Sequence, residues 1–532
     1  MKKILNWLLN PFKNDFNYLF LLFLLISTID IYDLVKNHLI SYAIYICSHG
    51  YITAYFLCLI GQNLPTKSYS IYKKIILIVA IVCFTIDVFC QIMYESRFSQ
   101  DFATIIMQTN IIEIEEYVES YISAKHLFFI VAILFAFWGL YNIFKRLSIH
   151  FGNTVHYIAF IGVIIGTALT IRNPLIYNDV FIGKIIKTFQ TPSVPNLKDY
   201  LSNPHIISTK ARKPQNIVMI IGESFSKSHS SLYGYSKETN PNLQTLVTDS
   251  SLFIYTDIKS PATNTIACFQ AIMSTYKHEY KDSIPWYQCT TLPEILHHSD
   301  YQTYWISNQS KIGLFDTVIG RYADLCNHSF FVGDKFAGMH RKNLDEEIIH
   351  LINPLLQRTN SNNFYFIHLM GSHSAFINRY PKTFHKFRSE DYETRPKHQR
   401  ENLATYDNSI LYNDFVVHEI IHLFKNQETI IFYFSDHAID AYESSDDYMA
   451  HGKETNPKSV DAATNIPFMI YTSPLYQQNF PNEMEQIKQC VAQPFRTDDM
   501  IYTIMDIIGV TIEGESLEGK SIFRLSSNEN IR

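Results

Sequence analysis

The sequence predicts a two-part α/β protein, in which five membrane-spanning helices precede a domain with a central, mostly parallel β-sheet flanked by helices. Long apolar runs are confined to residues 1–171 of the 532-residue chain. A proline-containing stretch follows at 172–214, and β-branched apolar segments then alternate with helix-like ones through 215–532. We therefore expect a transmembrane domain, a linker and a folded domain with its own core.

Five apolar runs are long enough to cross a bilayer, which takes about 20 residues. A single run of this kind would also fit a buried core helix. Five such runs within 171 residues, joined by short polar connections, indicate a membrane domain instead. The predicted spans are Tyr18–Val35, Leu39–Ile60, Ile75–Met93, Leu127–Phe144 and Val155–Ile171.

The basic residues predict the orientation of these spans, because lysine and arginine in short loops stay on the cytoplasmic side. The alternate loops are poor in basic residues, and one of them, 94–126, carries six acidic residues. We therefore expect the N-terminus inside and everything after Arg172 outside. No small-residue cleavage site follows the first apolar run, so no cleavable signal peptide is expected. The basic residues of the predicted inner side are Lys2, Lys3, Lys13, Lys67, Lys73, Lys74, Lys145 and Arg146.

The cysteines and the net charge bear on two further properties, disulfide bonding and nucleic-acid binding. Four of the eight cysteines lie in the predicted spans, and an even number in an exported domain permits up to two disulfides. Their pairing stays open at this point. The formal net charge of −6 argues against a nucleic-acid partner. The cysteines of the exported part are Cys268, Cys289, Cys326 and Cys490.

Polar side chains follow several of the predicted strands. Glu223 follows QNIVMIIG, His373 follows NFYFIHLMGS, and Asp436 with His437 follows TIIFYFS, while His451 comes shortly afterwards. Ligands of parallel sheets bind at the carboxyl ends of the strands. Taken alone, each of these residues could instead cap a helix, lie in a turn or be a polar side chain whose hydrogen bonds are satisfied. Together, carboxylates and imidazoles at one sheet edge predict a zinc or similar divalent metal site that binds phosphate and activates a hydroxyl.

The segment SPATNTIACFQ, residues 260–270, offers a candidate hydroxyl. Thr263 and Thr265 precede a helix-like run, where a threonine is usually an N-cap. A helix N-terminus also favours a bound phosphate. Capping and catalysis are therefore compatible at this position.

Seven motifs together resemble those of the phosphoethanolamine transferases, bacterial inner-membrane enzymes of the alkaline phosphatase and sulfatase superfamily. The resemblance covers nearly the whole chain. It implies an alkaline-phosphatase-like fold and a periplasmic location for residues 215–532. The matching segments are IIGES (220–224), LYGYSKETNPNL (232–243), SPATNT (260–265), HLMGSHSAFINRYP (368–381), YDNSILYND (406–414), FSDH (434–437) and HG (451–452).

The resemblance also implies roles for individual residues at the metal. Glu223, Asp436 and His437 match the ligands of a tightly bound Zn²⁺. Thr265, the second threonine of the T-x-T pair, matches the nucleophile that the metal activates, and Thr263 shapes the turn. A covalent phosphoethanolamine–threonine intermediate would follow.

Other matches are to substrate-binding positions. His373 and His451 match histidines that contact the phosphate or a second metal, and Ser310 matches a substrate contact. Thr109 and Glu113, in the loop 94–126, match positions associated with the ethanolamine head group, although an acidic interfacial helix without a ligand fits this loop as well. The implied donor is phosphatidylethanolamine, within the membrane lipids. The implied acceptor is a lipopolysaccharide core sugar, lipid A or another envelope glycan.

Two departures from the family pattern concern the acceptor side. Asn465 stands where lipid A-modifying subfamilies have a histidine, and Gly313 stands where they have a lysine, with Lys311 offset. Asn465 remains a predicted substrate-binding residue. Both departures weaken the expectation of a second zinc and favour core sugars or other glycans as acceptors.

Three other classes of protein compete with this interpretation. A lipoteichoic-acid-synthase-like phosphoglycerol transferase would share the five spans, the external domain and the threonine. A sulfatase would need a Cys/Ser motif for formylglycine, which the sequence lacks. A membrane anchor with a decayed hydrolase domain would not be expected to retain Glu223, Thr265, Asp436 and His437 together.

Overall fold

The computed structural model divides into two compact units, described separately below: Met1–Thr109 with Ser120–Pro192, and Asn110–Glu119 with Ser193–Arg532. The residues that the structure describes are 2–36, 38–94, 97–98, 103, 114–115, 118, 124–147, 152–172, 194–210, 212–280, 283–311, 318–332, 344–357, 361–444, 449–452 and 456–525.

The first unit is built from helices. By length and composition, four helices are long and apolar enough to cross a membrane: α2 (Phe16–Lys36), α3 (Ile40–Gly61), α6 (Asn153–Arg172) and the Thr66–Ile92 part of α4 (Thr66–Tyr94). The predicted span Leu127–Phe144 lies within α5 (Ala124–Leu147), whose described apolar stretch, His126–Leu140, is shorter. Each of the five predicted spans thus falls on a helix, and four meet the length of a span. The helices are α1 Lys2–Asn14, α2 Phe16–Lys36, α3 Ile40–Gly61, α4 Thr66–Tyr94, α5 Ala124–Leu147 and α6 Asn153–Arg172.

The second unit mixes strands and helices. Its strands are β1 Ile206–Ser208, β2 Asn216–Gly222, β3 Leu252–Tyr255, β4 Ile258–Lys259, β5 Tyr301–Ser307, β6 His328–Phe331, β7 Asn362–His368, β8 Thr429–Ser435, β9 Asp440–Ala441, β10 Met449–Ala450, β11 Phe468–Thr472, β12 Phe495–Arg496 and β13 Val510–Ile512. Its helices are α7 Pro241–Thr248, α8 Thr265–Ile272, α9 Leu292–His298, α10 Val318–Ala323, α11 Glu347–Ile352, α12 Lys397–Phe424, α13 Pro457–Thr464, α14 Pro474–Asn479, α15 Pro481–Gln489 and α16 Met500–Ile508.

Seven strands form the central sheet, in the order β3-β11-β8-β2-β7-β5-β6. β8, β2, β7, β5 and β6 pair in parallel, while β11 runs antiparallel to both of its neighbours. The prediction of a mostly parallel sheet is confirmed. The register pairs Gly222 with Ser435, Ile221 with His368 and Ser307 with His368, so four strands end at one edge.

Both faces of the sheet are covered, which explains why β2 is an uninterrupted apolar run. Successive side chains of a strand point to opposite faces. Accordingly, Ile217 and Met219 belong to the core on one face, whereas Val218 and Ile220 belong to the core on the other. The first core includes residues of α8 and α16, and the second includes residues of α12.

In α12, the polar residues Asp407, Asn408 and Ser409 are buried and hydrogen-bonded inside the domain. One expectation requires correction. The allowance for up to two disulfides is wrong for this structure, since all eight cysteines are free.

Candidate metal centre and active site

Glu223, Asp436 and His437 converge at the carboxyl edge of the sheet. Each follows the last residue of β2 or β8, and the register of those two strands places them side by side. The three side chains are fully buried. His437 Nε2 lies 3.2 Å from Glu223 Oε1 and 3.5 Å from Asp436 Oδ2. One candidate ligand atom from each residue fits within 4.8 Å of the others.

The hydroxyl of Thr265 lies against this group. Its Oγ1 donates to Glu223 Oε2 at 3.1 Å and lies 3.3 Å from His437 Nε2. A hydrogen bond from Thr265 also lowers the pKa of Asp436. Thr265 is the first residue of α8, and the N-cap is Asn264, whose side chain accepts from Ala267 N at 3.0 Å. The Thr265 hydroxyl is therefore free of the capping role that a threonine often has.

A strained turn sets the direction of Glu223. Ser224 adopts φ +57°, a left-handed conformation that costs a non-glycine residue about 1–2 kcal/mol. Its Oγ donates to Glu223 Oε1 at 2.7 Å. Gly371 lies close by, and a Cβ there would meet Glu223 N at 2.8 Å and Glu223 O at 2.9 Å. A side chain at residue 371 would push the strand end away, so glycine is required for this close approach.

The charges of the group are strongly interdependent. Burial opposes charge on His437, but the carboxylates of Asp436 and Glu223 outweigh it and raise the pKa of His437 to about 9. Burial and the neighbouring Glu223 carboxylate raise the pKa of Asp436. Burial alone would raise the pKa of Glu223 too, yet His437 holds it well below the usual range. Without a cation, the site thus retains protons that a bound metal ion would replace.

The residues present fit a divalent metal ion such as zinc. Asp436 Oδ2 is buried and has no hydrogen-bond partner among the described residues, as expected of a ligand atom. His437 Nδ1 lies 2.9 Å from Ala438 O, which favours the tautomer with a lone pair on Nε2. Two carboxylates, an imidazole and the Thr265 hydroxyl make a four-ligand set that suits tetrahedral zinc.

The two other predicted histidines border this group. The ring of His451 lies 4.7 Å from that of His437, centroid to centroid, and His451 Nδ1 lies 3.0 Å from Thr263 O. His373 is close enough to lower the pKa of Glu223, and its buried Nδ1 has no partner among the described residues. Thr263 contributes its backbone here, which agrees with a structural role.

The remaining predicted residues are Ser310, Asn465, Thr109 and Glu113. Ser310 is half-buried next to Gln309. Asn465 has a buried Oδ1 without a partner in the described part of the chain, and its carbonyl accepts from Lys227 N at 3.1 Å. Thr109 and Glu113 lie outside the described residues.

The sequence analysis did not predict two residues of the site, Gln309 and Asn264. Gln309 Nε2 donates to Glu223 Oε2 and to Leu369 O, both at 3.3 Å, and so holds the carboxylate from the β5 side. Gln309 could have been identified from its position just after the end of a strand, β5. Asn264 was overlooked as the cap because the two threonines that flank it are also common capping residues.

Comparisons with known proteins agree with this geometry. Residues 215–510 match the family model described as Sulfatase. The phosphoethanolamine transferase EptC of Escherichia coli (strain K12) is 27% identical over 329 residues, which cover 61% of this chain and 54% of that protein. The chain thus matches about half the length of this curated relative.

Solved structures show a similar fold. The integral membrane protein lipooligosaccharide phosphoethanolamine transferase A of Neisseria meningitidis is 16% identical, with a TM-score of 0.64, over 93% of this chain and 96% of that one. The periplasmic domain of EptC from Escherichia coli, in complex with zinc, is 24% identical, with a TM-score of 0.56, over 62% of this chain and 91% of that one. Similarity to phosphoethanolamine transferases is thereby confirmed, and the match over more than half of its length shows that this chain belongs to the sulfatase family.

Proposed function

We propose that this protein transfers phosphoethanolamine from phosphatidylethanolamine to an envelope glycan, through a covalent intermediate on Thr265. The observation that carries this proposal is the Thr265 hydroxyl, which lies 3.1 Å from Glu223 Oε2 and 3.3 Å from His437 Nε2 in a metal-type ligand set. The relatives named phosphoethanolamine transferases supply the substrate class.

The first half-reaction forms a bond from Thr265 Oγ1 to the phosphorus of phosphatidylethanolamine and breaks the bond to the diacylglycerol oxygen. The hydroxyl proton is directed at Glu223 Oε2, and in the balance of the step the departing diacylglycerol gains one proton. His373 and His451, which border the group, hold the phosphate oxygens. Thr265 is also the first residue of an α-helix, whose N–H groups favour a phosphate.

The second half-reaction reverses the first with a different hydroxyl. An acceptor sugar oxygen bonds to phosphorus, the bond to Thr265 Oγ1 breaks, and the acceptor proton returns to Thr265. The threonine is thus regenerated unchanged, which predicts ping-pong kinetics.

Glu223, Asp436, His437 and Thr265 would hold a single zinc ion. The chemistry that it supplies when bound is Lewis-acid catalysis, which lowers the pKa of the threonine hydroxyl and neutralises charge on the phosphate. The likeness to a zinc-complexed EptC domain supports zinc as the metal. The protein is proposed to lie in the bacterial inner membrane, with residues 215–532 in the periplasm.

The proposal is tested by mass spectrometry of the purified full-length protein after incubation with phosphatidylethanolamine. We expect a phosphoethanolamine adduct on Thr265 and on no other residue. A phosphatidylglycerol arm tests the competing phosphoglycerol transferase, which would instead leave phosphoglycerol on the threonine. An unmodified Thr265 in every arm would refute the covalent mechanism.

The acceptor requires an experiment in cells. Lipid A, core sugars and other envelope glycans of a deletion strain are compared with those of its parent by mass spectrometry. Asn465 in place of the histidine of lipid A-modifying enzymes favours a change in core sugars or other glycans. Loss of phosphoethanolamine from lipid A alone would contradict this preference.

A further inference from the structure

The segment YDNS, residues 406–409 of α12, belongs to the sequence resemblance but has no part in the chemistry above. Its four side chains are almost completely buried, with at most 1% of each residue exposed. Together the four side chains bind several loops of the second unit.

Asp407 binds the loop that follows the Glu223 turn. Its carboxylate accepts from His229 Nδ1 at 2.6 Å, from the Tyr235 hydroxyl at 2.7 Å and from the Tyr392 hydroxyl. A buried carboxylate with three such donors is well compensated for the loss of water. It fixes the loop 226–235 against α12.

Asn408 and Ser409 bind two further loops. Asn408 Oδ1 accepts from Lys386 N at 2.9 Å and from Phe387 N at 2.8 Å. Ser409 Oγ donates to Ser372 Oγ at 3.0 Å, next to His373. One turn of helix thus connects loops that are distant in sequence.

Tyr406 binds the turn that follows the proposed metal ligand Glu223. Its hydroxyl donates to Ser224 O and accepts from Ser226 N, both at 2.8 Å. These two bonds hold the peptide groups on either side of Phe225. They therefore maintain Ser224 at φ +57°, which the residue would not prefer on its own.

Ser224 in turn touches both carboxylates of the proposed metal site. Its Oγ donates to Glu223 Oε1 at 2.7 Å, and its backbone N donates to Asp436 Oδ1 at 3.3 Å. Rotation of Ser224 into a right-handed conformation would move both donors away from these oxygens. We propose that Tyr406 is a positioning residue that, through Ser224, directs Glu223 and Asp436 towards the metal. This inference rests on the proposed function, because it requires a metal at that site.

The test compares zinc affinity, measured by competition with a chromophoric chelator, in the full-length wild type and two variants. Tyr406→Phe removes only the bridging hydroxyl. Tyr301→Phe is the matched control, because the Tyr301 hydroxyl is also buried and donates to a backbone carbonyl, Pro214 O at 2.8 Å, at the opposite end of the sheet. We expect Tyr406→Phe to weaken zinc binding about 10- to 100-fold. Tyr301→Phe should bind zinc within about twofold of wild type, although it too loses a buried hydrogen bond.

A double-mutant cycle with Ser224→Gly examines the route through Ser224. Glycine adopts a positive φ without strain, so the backbone no longer needs the tyrosine to hold it. We expect Ser224→Gly alone to weaken zinc binding, and Tyr406→Phe to cost clearly less in that background than in wild type. Fully additive effects would overturn the inference.

The outcomes separate this inference from the function on which it rests. Equal zinc affinity in wild type and Tyr406→Phe overturns the positioning role and leaves the metal site intact. Equal losses in Tyr406→Phe and Tyr301→Phe would show general destabilisation, and would overturn it too. A wild-type protein that binds no zinc overturns the metal site as well. Chemical unfolding of each metal-free variant establishes that the variants are folded.

Discussion

Replacement of Thr265 by alanine should abolish turnover while leaving the fold and the zinc content nearly unchanged. The hydrogen bond of this hydroxyl to Glu223 Oε2 is a bond to a charged group, which contributes about 1.5–3 kcal/mol. The lower end applies, because Glu223 keeps its donors Ser224 and Gln309. The N-cap is Asn264, so capping is retained.

Alanine also has the better helix propensity, by less than about 0.7 kcal/mol. The net loss of stability is therefore about 1 kcal/mol, which in a domain of this size lowers the Tm by roughly 2 °C. Loss of a nucleophile typically costs about 10⁴-fold or more in turnover, or about 5.4 kcal/mol of activation free energy. The catalytic effect should thus exceed the structural effect about fivefold in free energy.

The assay measures release of diacylglycerol from labelled phosphatidylethanolamine, together with zinc content and Tm of each preparation. Thr263→Ala is the matched control, since residue 263 offers its carbonyl to His451 and alanine keeps that carbonyl. We expect this control to retain turnover within about tenfold of wild type. Equal loss of turnover in both variants would refute the assignment of a single nucleophile.

Three other predictions follow from the same geometry. Glu223→Gln should lower bound zinc well below one equivalent per chain by elemental analysis, because an uncharged amide is a poor zinc ligand; full occupancy would contradict the ligand assignment. The metal-free protein should lose thermal stability as pH rises from about 6.5 through about 9. The raised pKa of His437 adds stability that is fully present below its unfolded value and is lost above the folded one; a constant Tm across this range would count against the buried cluster. Asn264→Ala should destabilise the protein by about 1 kcal/mol in denaturant, whereas Asn264→Asp should not, and equal stability of all three proteins would mean that residue 264 is no cap.

The sequence was sufficient to group Glu223, Asp436 and His437 because they come one or two residues after apolar strands. Glu223 and Asp436 come one residue after Gly222 and Ser435, which pair in the sheet. The rule that ligands bind at carboxyl ends of parallel strands therefore applied without knowledge of the strand order. Thr265 follows no strand of the central sheet, and its role was predicted only from the resemblance to a family.

Other contacts could not be predicted, because they depend on how distant loops meet. Nothing in its sequence context identifies Ser224 as a residue with positive φ, since that conformation depends on Tyr406, 182 residues away. Similarly, the reach of Gln309 to Glu223 depends on β7 lying between β5 and β2. The burial of the polar residues Asp407, Asn408 and Ser409 in α12 could not be predicted either, because buried and exposed polar side chains look the same in a sequence.

The order of strands in the sheet has a consequence for synthesis of the protein. β2 lies between β7 and β8, both of which are made later, and two of the four proposed metal ligands come after β8. A nascent chain that ends before residue 429 therefore has one open edge on its central strand and only Glu223 and Thr265 of the ligand set. Such a chain lacks a complete zinc site, so zinc binding can stabilise only a domain that is already almost complete. We infer that zinc binds late and stabilises the completed sheet. It does not nucleate folding of the sheet.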